Sequence, residues 1–597
     1  MTIKICHLSE RYADIYLAHL WKKFPLIQTV KKTMHIFTQD QLGGDVMWTS
    51  TSDFEQFANN FYGWTRDFKS TLDGVHSDKR SDLITYQTYD KYSHGSNTVP
   101  SSDATYTDNY NNIRRTNMLL QNAEKYVDPA AIKQYVAEAH FFRAYCYFEL
   151  LQAYGNVIIT KTPLEINSPE MKQKRNDRSE VADFIIEDLN LAIEKLPTFK
   201  ELSNKGGSAR ISWEGANAFL SRVALYEGSW QKFRGNVERG VKLLDIAAKA
   251  AKKVIDAKQF ELFGTDTKSI ALGDSAQKYM FILEDAKSNP ADLKKSDNKE
   301  YIFVRSHEEV LSPIGTNITK GCLNNTLWIS RKFANMYLCS NGLPMEYNGK
   351  TNDLFEGYTK KKSEFQNRDN RMKYTLLEPG VCYFSNAAGK SRVNWDDSDY
   401  QYPAGKPEQK KYEVYDPKIG TCYNNQKWCT ERFVADTKEG YDYPIIRYAE
   451  VLLNYAEAVY ERDNKIDNTD LDISLNLVRC RVNKDMPKLS NELVSTNGLS
   501  MQTEIRRERT VELFNEGFRI DDLKRWKIAE IEMPQDILGI KKTGTDYAKE
   551  NLSYSTDLNG CIIVETGRKW EEKNYLYPLP ADQLQLNPNL GQNFGWE

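Results

Sequence analysis

One spacing recurs in three places along this chain, and it constrains the fold more than any other feature. Ala137, Phe141, Ala144, Phe148 and Leu151 step by four, three, four and three. Ala216, Phe219, Val223, Tyr226 and Trp230 step by three, four, three and four, and Ala449, Leu452, Ala456 and Val459 keep the same rule. An α-helix turns about every 3.6 residues, so each set lays an apolar stripe along one helix face. Small alanines alternate with large side chains in these stripes, which lets a neighbouring helix approach closely. The stretch Glu138-Ala139-His140-Phe141-Phe142-Arg143-Ala144-Tyr145 also resembles the stretch from Arg447 to Ala458.

Degenerate helix pairs of this kind look like tetratricopeptide repeats, which bury a continuous core by stacking and leave function to their loops. Local signals mark the ends of the helices. Asp128 followed by Pro129 reads as an N-cap with proline at the first helical position. Pro197 closes a helix that begins near Glu180, and Ser212 caps the next. Between about Thr265 and Tyr443 the helical period fades into a stretch rich in Gly, Asn, Asp and aromatic residues, with short strand-like runs such as Tyr301-Ile302-Phe303-Val304. The expected fold is therefore mainly α: a tetratricopeptide-like platform of about four helix pairs carrying a loop-rich insertion. Residues 1–44 form an atypical N-terminal segment, 45–264 a helical region, 265–443 the insertion and 444–597 a second helical region. No linker or low-complexity tract separates them, so one structural unit is expected.

Composition narrows the function. Of 597 residues, 40% are hydrophobic, enough for a sizeable core, and the mean hydropathy of −0.64 implies a strongly polar surface. No run of about 18 apolar residues occurs, so no segment reads as a membrane-spanning helix. The 80 basic and 83 acidic residues are interspersed and give a net charge of −3, a balance that argues against a nucleic-acid partner. Nine cysteines are scattered without a Cys-x-x-Cys pair. Cys422 and Cys429 flank a turn-like stretch across which they could meet, but unpaired thiols are the expected state. The 35 tyrosines and 11 tryptophans exceed what a core requires, so some are expected on the surface, where flat rings suit sugars or protein partners.

Enzyme signatures are absent. The sequence holds no His-Glu-x-x-His, no Gly-x-Ser-x-Gly and no P-loop, since Phe384 stands where the Gly389-Lys390-Ser391 triplet would need a glycine. The seven histidines are dispersed, and His140 sits in a helical segment as a packing or surface residue. Asp396-Asp397-Ser398-Asp399 has oxygen ligands but lacks the flanking ligands and turn glycine of a calcium loop, so it reads as a solvated acidic loop. No catalytic residue, metal or cofactor is expected. The candidates for ligand contact are aromatic: Trp64, Tyr86, Tyr89 and Tyr92 before the first clear helix, and Tyr383, Trp395, Tyr400, Tyr402 and Trp428 in the insertion. Two or three of these are expected to contact a ligand. Trp328 is expected in the core.

The C-terminal third carries the most specific motifs. Tyr443-Pro444-Ile445-Ile446-Arg447-Tyr448-Ala449-Glu450 leads into Leu453-Asn454-Tyr455-Ala456-Glu457-Ala458, then Leu475-Asn476-Leu477-Val478-Arg479. Next come Glu508-Arg509-Thr510-Val511-Glu512-Leu513-Phe514-Asn515-Glu516-Gly517-Phe518-Arg519 and Asp522-Leu523-Lys524-Arg525-Trp526. The chain closes with Tyr577-Pro578-Leu579-Pro580 and Gln592-Asn593-Phe594-Gly595-Trp596. This order resembles the RagB/SusD family over about residues 45–596. Upstream, Asn112-Ile113-Arg114-Arg115-Thr116-Asn117 and Leu151-Gln152-Ala153-Tyr154-Gly155 agree, and Arg368-Asp369-Asn370-Arg371-Met372 resembles the family's Arg-Asp-Pro-Arg-Leu element with Asn370 in place of proline. The crowded opposite charges of Glu508 to Trp526 read as a structural ion-pair network. Gly517 is expected to break the first helix of that stretch, Asp522, Lys524 and Arg525 to head a second, and Trp596 to pack on the body.

The resemblance implies a non-catalytic, lipid-anchored receptor on the outer face of the outer membrane. It would capture an oligo- or polysaccharide and pass it to a SusC-like TonB-dependent transporter. Residues 1–20 show neither a signal peptide nor a lipobox around Cys6, so a start inside a longer precursor is expected. Three rival readings fit parts of the pattern: a peptide-binding relative, an intracellular repeat scaffold, and a glycan-active enzyme, which would need a convergent carboxylate pair in a deep cleft.

Overall fold

The structure is a computed structural model. It describes residues 48–597 apart from 73, 166, 205–208, 287, 322–326, 386–411, 415 and 432–433. Helices dominate. The principal ones are α1 (Thr51–Asn59), α2 (Ala104–Ala123), α3 (Pro129–Tyr154), α4 (Arg178–Lys195), α5 (Trp213–Lys232), α6 (Val237–Asp256), α7 (Tyr448–Asp463), α8 (Leu475–Cys480), α9 (Met501–Glu512) and α10 (Arg519–Arg525). They pack in succession, α2 on α3, α3 on α4, α4 on α5, α5 on α6 and α6 on α7, and α7 closes the row against α9. This is the mainly α platform that the stripes predict.

The predicted caps are present. The Asp128 carboxylate accepts from Ala131 N, and Ser212 Oγ accepts from Gly215 N at 3.1 Å. The stripe residues Ala137, Phe141, Ala144, Phe148 and Leu151 are all buried, as are Ala449, Leu452, Ala456 and Val459. Where α5 meets α6 the backbones almost touch. A Cβ built on Gly240 would lie 2.8 Å from Lys232 N and 2.9 Å from the Gly228 carbonyl, so only glycine fits the crossing.

Strands are short. β1 (Ile84–Thr85) pairs antiparallel with β3 (Trp328–Ile329), and β2 (Tyr301–Arg305) with β4 (Tyr443–Arg447). β5 (Ile537–Lys541) and β6 (Cys561–Glu565) form a hairpin with register Cys561↔Lys541 and Glu565↔Ile537. The described residues of 265–443 otherwise form loops, short helices and two-stranded ribbons. Cys422 and Cys429 are both buried.

The signature charges are indeed structural. Arg447 lies 2.8 Å from Glu300, 2.7 Å from Glu512 and 2.7 Å from Glu516, while Arg481 reaches Glu300 at 3.0 Å and Glu512 at 2.6 Å. Arg371, clamped by Asp369 at 2.6 Å, completes the cluster at 3.1 Å from Glu512. Next to it, Glu457 accepts from Arg525 and from Trp526 Nε1, and Asp522 bridges Arg525 and Arg509. Asn370 serves where the family has proline, its side chain donating to the Val482 carbonyl at 2.8 Å.

One expected boundary is corrected. α9 ends at Glu512, not at Gly517, because Asn515 already takes a left-handed conformation (φ 57°) two residues earlier. Its amide then donates to buried Asp78, and while Asp522 stands in the first turn of α10 as expected, Lys524 and Arg525 stand in its last turn instead of at its head.

Candidate functional site

The β1–β3 ladder creates the most distinctive surface feature. Its register sets Thr85 opposite Trp328, so Tyr86 and Trp328 become neighbours, with ring centroids 6.4 Å apart. Gly420 lies against the Trp328 indole in a left-handed conformation (φ +63°) that leaves no room for a side chain. The Gly420 amide donates to Tyr554 Oη at 3.2 Å, which brings a third ring to the same place. Tyr86, Tyr89, Trp328 and Tyr554, with Ile419 and Val564, thus line a cleft of about 450 Å³. Two polar groups face it at one end, where Thr85 Oγ1 donates to Glu565 and Arg568 holds the other carboxylate oxygen at 3.2 Å.

Tyr86 and Tyr89 also line a second arm of about 630 Å³, bounded by Arg80, Asp90, Lys91, Asn97 and Asp103. Both arms fall in the range of about 300–1,000 Å³ usual for small-molecule clefts. Tyr89 is the exposed ring of the group, at 47% of its surface, and one face stacks on His94 at 4.1 Å. His94 is in turn held by the short helix Lys91–His94, which Asp90 caps by accepting from the amides of Tyr92 and Ser93. The plane presented to solvent is therefore pre-oriented.

Tyr92 forms the floor of this arm, not its surface. It is 2% exposed, stacks on Tyr577 at 4.5 Å and donates to the Asn574 carbonyl at 2.7 Å. Burial pushes the Tyr92 phenol well above its ordinary value and that of Tyr577 up to about 12, so both rings stay neutral. Arg80 lies over both rings and donates to Tyr577 Oη at 2.9 Å.

The nine aromatic candidates therefore divide. Tyr86 and Tyr89 meet in the cleft and Tyr92 supports it. Trp64 is half-buried elsewhere, against Phe61 and Phe142. Trp428 is a correction: it is 1% exposed, packed edge-on against Phe68 and Phe281, and donates from Nε1 to the Asn515 carbonyl at 3.0 Å, so no face is open to a ligand. Tyr383 lies in the strand Cys382–Ser385, paired with Tyr412–Val414. Trp395, Tyr400 and Tyr402 lie outside the described residues, as does the Asp396–Asp399 loop. Trp328, expected in the core, is buried yet forms a wall of the cleft, and Tyr554 was not singled out at all. Only the pairing of residues 84–85 with 328–329 brings these rings together, and no local pattern announces it.

Among the described residues, no group of three His, Cys, Asp or Glu side chains is arranged to hold a metal ion. No described helix is long and apolar enough to cross a membrane.

Two family models match the sequence. One is described as the SusD family and matches residues 287–596; the other is described as starch-binding, associating with outer membrane, and matches residues 42–225. A SusD-like protein of Bacteroides ovatus is 34% identical over 105 residues, which is 17% of this chain and 18% of that relative. The match thus spans less than a fifth of the relative's length. Among solved structures, a SusD-like carbohydrate-binding protein of Bacteroides fragilis superposes with a TM-score of 0.69 at 20% identity, covering 91% of this chain and 99% of that one. Surface glycan-binding protein A of Bacteroides fluxus superposes with a TM-score of 0.57 at 18% identity, covering 92% and 100%. At these identities the likeness is one of fold.

Proposed function

The chain belongs to the SusD family, and from that premise we propose that it is a non-catalytic receptor whose aromatic cleft captures an oligo- or polysaccharide. The observation that carries the reading is the convergence of Tyr86, Tyr89, Trp328 and Tyr554 on one cleft. Sugar rings present apolar C–H faces that stack on such planes, while Asp90, Asn97 and Glu565 offer partners for hydroxyl groups. No bond is made or broken: the ligand stacks, is held, and is released to the next protein.

Membership of the family, and the description of the family model over residues 42–225 as associating with outer membrane, support a further proposal about location and partner. The protein would sit on the outer face of the outer membrane through a lipid anchor, and would hand its cargo to a SusC-like TonB-dependent transporter. Affinity electrophoresis and calorimetry against a polysaccharide panel, with product analysis of the same samples, test the proposal. Binding to one glycan without turnover is expected, weakened about three- to tenfold by Tyr89→Ala and by Tyr86→Ala. Turnover, or affinity indifferent to both variants, would refute it.

A further inference from the structure

Three residues beyond Trp328 the chain leaves the aromatic cleft and enters another, of about 540 Å³, between the helix Arg331–Met336 and β5. Arg331 lines it and is 7% exposed. Its guanidinium stacks on Tyr358 at 4.2 Å from the ring centroid. Its one hydrogen bond among the described residues goes to Tyr423 Oη at 3.2 Å, and Tyr423 itself donates to Glu364 at 2.7 Å. Elsewhere in this molecule guanidiniums so deeply buried have several acceptors. Arg447 has three carboxylates and Arg368 has four backbone carbonyls. Arg331 keeps N–H groups that nothing in the described protein accepts, and they open to the cleft, where an anionic ligand would meet them directly.

A second cation stands on the same ring. Lys541, at the end of β5, holds its ammonium 5.7 Å from the Tyr358 centroid and has no carboxylate partner among the described residues. The acids of this cleft do not neutralise the pair. Asp82 and Glu532 are engaged by Lys332 at 3.1 and 2.7 Å, with Arg519 also on Asp82 at 2.8 Å. Asp557 accepts from the amides of Asn559 and Cys561 in its own turn. Glu346 and Asp536 stand exposed at the rim. They would repel a bare anion but would accept hydrogen bonds from hydroxyl groups.

We propose that this cleft is a second ligand site, separate from the aromatic one, and that it takes a sugar acid. The carboxylate pairs with Arg331 and Lys541, where planar, charge-assisted hydrogen bonding is strongest, and the hydroxyls face Glu346 and Asp536. Calorimetry of the full chain with D-glucuronate, D-glucose and inorganic phosphate tests it. Glucuronate binds in the millimolar range and the other two at least about tenfold more weakly. Lys541→Gln, at a partly exposed position, weakens glucuronate binding about fivefold, Arg331→Gln abolishes it, and Tyr89→Ala leaves it unchanged. Glucuronate also protects Lys541 from acetylation, read by mass spectrometry, which holds even if Arg331→Gln fails to fold. Absence of glucuronate binding, equal binding of glucose or phosphate, or indifference to Lys541→Gln would overturn the proposal.

Discussion

Single residues carry unusual electrostatic weight here, and Glu512 carries the most. Burial alone would lift its carboxyl, but Arg481, Arg447 and Arg371 outweigh that and hold it far below the usual range. Removing one member of such a cluster strands the others as uncompensated buried charges, at a cost of about 3–5 kcal/mol. Glu512→Gln is expected to lower the unfolding free energy by that amount in urea titration. The same logic sets the acid response. Burial raises Glu457, yet Arg525 and Arg509 hold it at about 2; burial raises Glu149, yet Arg66 and His76 hold it at about 2. Both lie below the free value of 4.5, so their contribution is complete above that pH and is lost as pH falls towards 2. Asp78 acts in the opposite direction. Burial lifts it from 3.8 to about 7 despite the amides of Asn515 and Arg519, so its protonated form is favoured by folding and stability falls as pH rises from about 4 to 7. Thermal unfolding followed from pH 2 to 8 should show both limbs, and Asp78→Asn should flatten the upper one only.

At the scale of elements, most helix ends obey short-range chemistry. Ser212 caps α5 in the way its sequence position predicts, and Ser212→Ala should cost about 1 kcal/mol. The α5–α6 crossing obeys a different rule. Gly240 sits between positions that read as ordinary amphipathic helix, and nothing local marks it as a point of backbone contact. An added methyl group must push Lys232 N or the Gly228 carbonyl aside. Gly240→Ala should therefore cost about 1–3 kcal/mol, more than the lost cap, although alanine favours an isolated helix. Chemical denaturation of the two variants side by side decides the order. The end of α9 makes the same point, because Asn515 turns the chain two residues before Gly517, where the glycine signal placed the break. The amide that turn releases is taken up by Asp78, more than four hundred residues away in sequence.

Across the whole molecule, the aromatic cleft is a meeting of distant segments: residues 79–104, Trp328, Ile419, Tyr554, the β6 strand and Tyr577. The final turn of the chain braces this assembly. Trp596 is buried and donates from Nε1 to the carbonyls of Lys573 and Leu576, just ahead of Tyr577. Arg175 ties the same end down through the Leu590 carbonyl at 2.8 Å and Asn593 at 2.6 Å. Trp596→Ala should lower stability by about 3 kcal/mol. Because Tyr577 underlies Tyr92, it should also weaken ligand binding at the aromatic cleft, which calorimetry against any glycan found to bind in the polysaccharide panel would read.

Much of this protein was determined by local chemistry that a sequence carries openly. The stripes from Ala137 to Leu151 and from Ala449 to Val459 placed the helices, because helical period depends only on neighbours along the chain. The charged motif from Glu508 to Trp526 announced a structural network, because so many opposite charges in one helical pair must find one another to be buried. Tyr86 and Tyr89 were legible as surface aromatics from the polar residues around them. What the tertiary structure decided was which rings share a cleft. Trp428 and Trp328 look alike as tryptophans within one loop-rich stretch. The first is sealed under Phe68 and Phe281, while the second is brought to the cleft wall by a two-residue ladder with Ile84 and Thr85. Arg331 likewise reads as one arginine among many until its burial on Tyr358 shows that its acceptors are missing. The first outcome depends on a pairing across more than two hundred residues and the second on contacts across tens of residues, and in both the free energy of packing, not local preference, chooses the partner.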